Sequence, residues 1–160
     1  MKNDITAIGN ALVDTVFKVE HSLISELGLE IDQMTLSSAE EHVPIIERLI
    51  ASGADTVSDC GGSATNSLVA AASFGAKCFH ICKVSEDQDG LRYLKSLKEA
   101  GVNHKGNTAS TNSIPTGKCL ILVTPDAKRT MTTALNISSL MDEIDLDLDQ
   151  IANSKIFYIE

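Results

Sequence analysis

Tryptophan is absent, and four phenylalanines and two tyrosines make up the whole aromatic content. The core must therefore be built mainly from Ile, Leu, Val and Ala. Basic residues are in deficit, with 13 Lys and Arg against 22 Asp and Glu and a formal net charge of -9. Such a surface repels nucleic acid and anionic membrane, which excludes a basic-groove binder. No apolar run is long enough to span a bilayer. Met1 to Ala11 lacks the basic start and long apolar stretch of a signal peptide, so the default compartment is the cytoplasm. Cysteine is sparse: Cys60, Cys78, Cys82 and Cys119 form no C-x-x-C pair. Four reduced, mostly buried thiols are expected, and no metal site. Neither an internal repeat nor a low-complexity linker is present.

What remains is ordinary globular composition, 43% hydrophobic and 22% charged, in a length that suits one domain over residues 1–160. Ile5 to Gly9 reads as a buried strand. Val13, Thr15, Phe17 and Val19 then alternate onto one face of a second strand. Ser38 to Ser52 has helical spacing and a Ser38/Glu41 capping box, with Pro44 predicting a kink or a later start. Asp55 to Cys60 is a short strand. An Ala-rich helix follows from Ser63 to Phe74, closed by Gly75. Lys77 to Val84 is a buried strand, and Gly90 to Ala100 is an amphipathic helix with Leu91, Leu94 and Leu97 in line. Lys118 to Thr124 and Arg129 to Leu135 flank Pro125, Asp126 and Ala127 as a β-hairpin. Lys155 to Glu160 is apolar on both faces and reads as a buried strand. A strand of that kind belongs inside a sheet, so its place as the last element implies a longer protein or a partner. The alternation predicts an α/β domain with a largely parallel central sheet, flanked by helices and carrying a small β appendage.

Two segments carry chemistry. Gly61-Gly62-Ser63-Ala64-Thr65-Asn66 lies between a strand and a helix. Its glycines allow a sharp turn and close approach of a ligand to the main chain. The amides at the helix start can donate to oxygens, and Asn66 both donates and accepts. That suits a polyhydroxyl ligand, whereas a glycine pair alone would be a plain capped turn. Neither a Walker A ending nor a G-x-G-x-x-G occurs, which ranks a dinucleotide-binding domain last. Gly9-Asn10-Ala11-Leu12-Val13-Asp14 follows the first strand, where open parallel sheets bind ligands. An Asp and an Asn there could grip vicinal hydroxyls. Taken alone, Asn10 would turn the chain and Asp14 would be solvated.

In order, GNALVD, CGGSATNS, FGAKCFHICKVSEDQDG and PTGKCLILVTPDAKRTM resemble the ribokinase-like (PfkB-type) carbohydrate and nucleoside kinases, nearest their adenosine kinase branch. The likeness covers nearly all of Ile5 to Glu160. Val84, Asp87 and Gly90 complete the family's first signature. The resemblance implies a ribokinase-like fold with lid segments at about 14–36 and 114–136, ending before the carboxy-terminal half. It implies that Asp14 accepts hydrogen bonds from two ring hydroxyls, helped by Asn10. Gly61 and Gly62 would meet the sugar through their backbone, and Asn66 would bond a hydroxyl near the phosphate-accepting end. Cys119 would line the pocket and Leu135 would face the base or aglycone. Arg129 is a candidate phosphate contact, balanced against a solvated hairpin charge. A lid would exclude water from the reaction. Exposed β edges on it would offer pairing between two subunits.

Three departures from the family pattern stand out. Ser85-Glu86 stands before the conserved aspartate, Lys118 replaces a small polar residue, and Asn136 replaces glycine or alanine. Lys118 and Asn136 are expected near the pocket or lid. The second signature, Asp-Thr-x-Gly-Ala-Gly-Asp, does not occur, so no catalytic aspartate is expected in this chain. The implied reading is the substrate-binding half of an ATP- and Mg2+-dependent kinase for a sugar or nucleoside, inactive alone. The alternative is a non-catalytic binding or regulatory module. His21, His42 and His104 are expected on the surface, and His80 as a satisfied core or edge residue. Asp142 to Asp149 lacks EF-hand spacing and reads as a solvated face.

Overall fold

The structure is a computed structural model and describes residues 2–109 and 114–160. The chain begins β1 (Asn3–Ile8), β2 (Leu12–Lys18), α1 (His21–Glu26), β3 (Met34–Leu36), α2 (Ala39–Ala51), β4 (Thr56–Gly61) and α3 (Ser63–Ser73). It continues β5 (Cys78–Ser85), α4 (Gln88–Glu99), β6 (Val102–Ala109), β7 (Gly117–Val123), β8 (Arg129–Ala134), α5 (Leu148–Ala152) and β9 (Ser154–Ile159). Two short 3-10 stretches, Asn136–Leu140 and Glu143–Asp145, precede α5.

The apolar runs of β1 and β5 pair in parallel at the centre of a four-stranded sheet, β6-β5-β1-β9, in which every neighbour is parallel. Ala7, Cys78, Cys82 and Val84 pack there with Ala64 and Leu68 of α3 and Tyr93 and Leu97 of α4. A second, mixed sheet has the order β3-β8-β7-β2-β4. Phe17, Leu120 and Leu122 of this sheet pack with Leu23, Ile24 and Leu49 of α1 and α2. The hairpin of β7 and β8 is antiparallel, with Ala127 at φ 63° in its turn. β4 also joins this sheet, although it lies outside residues 14–36 and 114–136.

Several local expectations change. The capping box forms, with Ser38 Oγ accepting from the Glu41 amide at 3.2 Å and Glu41 Oε2 from the Ser38 amide at 2.7 Å. α2 starts directly behind it, and Pro44 lies inside the helix without delaying its start. In α4 the buried stripe is Gly90, Tyr93 and Leu97, and Leu91 is 63% exposed. Steps of three alone drift round a 3.6-residue turn, so Leu91 leaves the line. β9 is an edge strand, and Ile156, Phe157 and Ile159 on it are exposed. His42 is buried, not on the surface, and its Nε2 lies 3.2 Å from Thr132 Oγ1 on β8. The acidic stretch is not wholly solvated: Asp145 is buried and pairs with Lys83 Nζ at 2.7 Å. β6, β3 and α1 carry weak apolar patterns and were not anticipated.

His80 is fully buried, and Nδ1 lies 3.4 Å from the Ala7 carbonyl. Nε2 faces Thr65 Oγ1 and Tyr93 OH at 3.3 and 3.2 Å. Burial holds its pKa down to about 4, so the ring is neutral at physiological pH. The four thiols are free. Burial pushes Cys60 up to about 11 and Cys82 up to about 12. Thiolate is the reactive form. Iodoacetamide at pH 8 should therefore label the folded chain slowly, half-exposed Cys60 first, and all four sites rapidly in urea. Peptide mapping by mass spectrometry reads the order.

Candidate functional site

The two sheets are joined where the chain crosses between them. There are four crossings, and the second and third each meet a carbonyl of the first. The first, Gly9 to Ala11, follows β1. The second is Gly61-Gly62 between β4 and α3. A Cβ on Gly62 would lie 2.4 Å from the Asn10 carbonyl oxygen, and its φ of 97° suits only glycine well. The third crossing enters β7 at Gly117, where a Cβ would lie 2.6 Å from the Ala11 oxygen and 2.9 Å from the Leu135 oxygen. The fourth leaves β8 through Leu135. The loop with Asn10 thus meets the diglycine turn directly.

Asp14 lies on that seam. A Cβ built on Gly61 would fall 2.1 to 2.3 Å from the Asp14 carboxyl atoms, so the carboxylate rests on the bare Cα of Gly61. Strand register puts Asp14 opposite Asp59 on β4 and beside Cys119 on β7. Cys119 pairs with Thr133, and Thr133 with Leu36. Residues paired across strands share a face. One row therefore crosses all five strands: Leu36, Thr133, Cys119, Asp14, Asp59. The next row on this face is Met34, Met131, Ile121, Val16, Val57. Met34, Leu36 and Val57 are 54%, 62% and 71% exposed, so the edges of this face are open. The opposite face carries Leu120 and Leu122 and is covered by helices.

The electrostatics follow from the row. Burial raises the Asp14 pKa above the ordinary carboxylate value, Arg129 lowers it, and Asp59 raises it. The exposed side chain of Arg129 therefore acts on Asp14, although the residue itself pairs with Val123 four positions along β7 from Cys119. Cys119 is buried, accepts from Thr133 Oγ1 at 3.2 Å, and has its pKa raised by burial. A fold that raises a carboxyl pKa binds the proton more tightly than the unfolded chain. Asp14 therefore costs stability as pH rises through that window, and the cost is complete once pH exceeds the folded-state pKa.

Asn10, Asp14, Gly61, Gly62 and Cys119 are brought together. Asn66 is exposed on the first turn of α3, its amide bonded to the Gly62 carbonyl at 2.9 Å. Leu135 is half-buried and lines a separate concavity of about 340 Å³ with Leu36, Ser38 and Ile114. A larger groove of about 750 Å³, lined by Lys18, Glu26, Arg48 and Pro125, contains none of the predicted residues. Sequence reasoning missed Asp59, Leu36 and Thr133. The alternation of β4 two residues before Gly61 was the available signal for Asp59; no local signal pointed to Leu36 or Thr133. Lys118, expected near the pocket, has the opposite strand parity from Cys119. It pairs with Asp89 Oδ2 of α4 at 2.7 Å instead.

This architecture defines a ribokinase-like α/β protein. A probable sugar kinase from Rhizobium etli matches with a TM-score of 0.89 and 25% identity, over 99% of this chain and 47% of that one. The adenosine kinase of Sinorhizobium meliloti matches with a TM-score of 0.85 and 30% identity, over 99% and 47%. A ribokinase from Dictyostelium discoideum is 27% identical over 158 residues, which is 98% of this chain and 42% of that protein. The pattern of the pfkB family carbohydrate kinases matches residues 30–160, and the chain belongs to that family. It spans a little under half the length of these relatives.

Proposed function

We propose that the chain is the acceptor-binding half of an ATP-dependent kinase that phosphorylates a primary hydroxyl of a sugar or nucleoside, adenosine-like or ribose-like. The observation that carries this reading is the Asp14 carboxylate, half-buried, seated on the Cα of Gly61 and facing the row with Cys119. A desolvated carboxylate with open lone pairs takes two hydroxyl donors at once. Asn10 supports it from the adjoining loop, and the bare backbone of Gly61 and Gly62 lets a ring approach. Asn66 is assigned the hydroxyl near the phosphate-accepting end, Leu135 the base or aglycone, and Arg129 the candidate phosphate contact. The β face then serves as a lid that keeps water from the acceptor.

ATP and Mg2+ belong to the family chemistry. Among the described residues no group of three His, Cys, Asp or Glu side chains is placed to hold a metal ion on its own. The second signature is also missing from the sequence. Phosphoryl transfer rests on positioning and charge stabilisation of the nucleotide. We assign that work to the length of the relatives this chain does not span, so the chain alone is inactive. A cytoplasmic location, and pairing of two copies through the lid edges β3 and β4, are parts of the same proposal. Ser85, Lys118 and Asn136, which belong to the departures from the family pattern, bond at the junction of the sheets and not in the Asp14 row. A non-catalytic module that keeps the sugar site is the alternative reading.

Saturation-transfer NMR with adenosine, ribose and fructose tests the reading on this chain. Adenosine or ribose should bind. Asp14→Asn should weaken binding by at least about tenfold, since a hydrogen bond to a charged group contributes about 1.5–3 kcal/mol and the amide keeps only one acceptor oxygen. The same substitution should raise the urea midpoint at pH 7, because it removes a charge the fold holds at a cost. Undiminished binding by Asp14→Asn would remove the acceptor site from this place.

A further inference from the structure

Thr116, at the third crossing, is 1% exposed and bonded on every side. Its amide donates to Asp87 Oδ2 at 2.8 Å, and its hydroxyl donates to Asp87 Oδ1 at 2.7 Å. The same Oδ1 accepts the Gly90 amide at 2.7 Å, capping α4. Thr116 Oγ1 accepts the Ser85 amide at 3.0 Å, and the Thr116 carbonyl accepts Asn136 Nδ2 at 3.1 Å. Ser85 Oγ donates to the Ile114 carbonyl. Lys118, two residues on, pairs with Asp89 in the first turn of α4. Ser85, of the Ser85-Glu86 pair, Lys118 and Asn136 belong to the three departures from the family pattern. They are far apart in sequence, yet each bonds at or beside this one junction.

We propose that Asp87 and Thr116 form a latch that holds the second sheet in a single orientation on the parallel sheet, with Ser85, Lys118 and Asn136 reinforcing it. Asp87 stands on the β5–α4 turn of the parallel-sheet unit. Thr116 stands at the entry of β7, the middle strand of the second sheet. The carboxylate therefore bridges two bodies that otherwise meet through the crossings and through Val13 of β2 and Cys60 of β4, which pack against the core of the parallel sheet. Burial alone would raise the Asp87 pKa, but its bonds to Thr116 and Gly90, with Lys118 nearby, hold it below the ordinary value. It is charged at neutral pH and accepts three donors at once. An amide in its place has one acceptor oxygen and would set its NH2 against a donor, most directly the Thr116 amide. Both are positioning residues. The latch does not depend on which acceptor binds, or on whether the Asp14 row binds one.

Spin labels at Glu47→Cys on α2 and Ser73→Cys on α3, both exposed positions, report the angle between the units by double electron–electron resonance. The parent pair should give one narrow distance distribution. Asp87→Asn and Thr116→Val should each broaden it at least about twofold, and Thr116→Ser, which keeps the hydroxyl, should leave it narrow. Circular dichroism confirms that each variant is folded, and two independent variants guard against loss of one. A narrow distribution in both Asp87→Asn and Thr116→Val overturns the latch. So does broadening by Thr116→Ser equal to that by Thr116→Val, because shape and not the hydrogen bond would then be responsible.

Discussion

Gly62→Ala should cost about 2–6 kcal/mol of stability, combining backbone strain of about 1–3 kcal/mol with overpacking of similar size. The reason is local and rigid. The φ of 97° disfavours any side chain, and the added carbon would sit 2.4 Å from the Asn10 carbonyl oxygen, a backbone atom with little room to retreat. Urea denaturation followed by circular dichroism measures the loss. Because a domain of this size is stable by only about 5–15 kcal/mol, the midpoint should fall by a large fraction. Gly61→Ala makes the useful contrast. There the nearest atoms are the Asp14 carboxylate, the end of a side chain that can rotate away. That variant should lose much less stability and instead displace the carboxylate. Equal costs at the two glycines would contradict the assigned geometry.

Lys83→Met should cost about 3–5 kcal/mol, the range found when one member of a buried ion pair is removed. Lys83 and Asp145 have side chains only 15% and 8% exposed, 2.7 Å apart, and join β5 to the segment before α5. Lys83 Nζ also donates to the Leu140 carbonyl at 2.9 Å. Asp145 Oδ2 accepts the Asp142 amide at 2.9 Å, so the carboxylate keeps a donor when the lysine is gone. Its charge nevertheless stays buried without the ammonium. The double variant Lys83→Met, Asp145→Leu should recover more than half of the loss, since a buried pair is often matched by apolar residues of similar volume. A double-mutant cycle by urea denaturation gives the coupling. Additive losses would mean that the two charges do not act as a pair.

Local chemistry was legible wherever the deciding contacts lie within one element. The capping box at Ser38 and Glu41, the glycine after α3, and the hairpin turn at Pro125 to Ala127 all follow from neighbours a few residues apart. So does the diglycine turn between β4 and α3. Buried polar partners were harder. His42 looked like a surface residue on a polar helix, and Asp145 like one solvated acid among several. Each finds its partner, Thr132 or Lys83, 90 or 62 residues away. A periodicity reports which face of an element is apolar, but not what a polar residue on that face will meet.

By itself the sequence determined the alternation of strands and helices, the glycines at the turns, and the order of short motifs that marks the family. These are properties of segments, set by backbone sterics and side-chain period. Only the tertiary structure decided that Asp14 faces Asp59 and Cys119 in one row, and that β4 joins the second sheet. It alone gathered Ser85, Asp87, Thr116, Lys118 and Asn136 at one junction. Strand register and the packing of two sheets bring these groups together, and both are fixed by the summed burial of many residues and not by any segment that contains them.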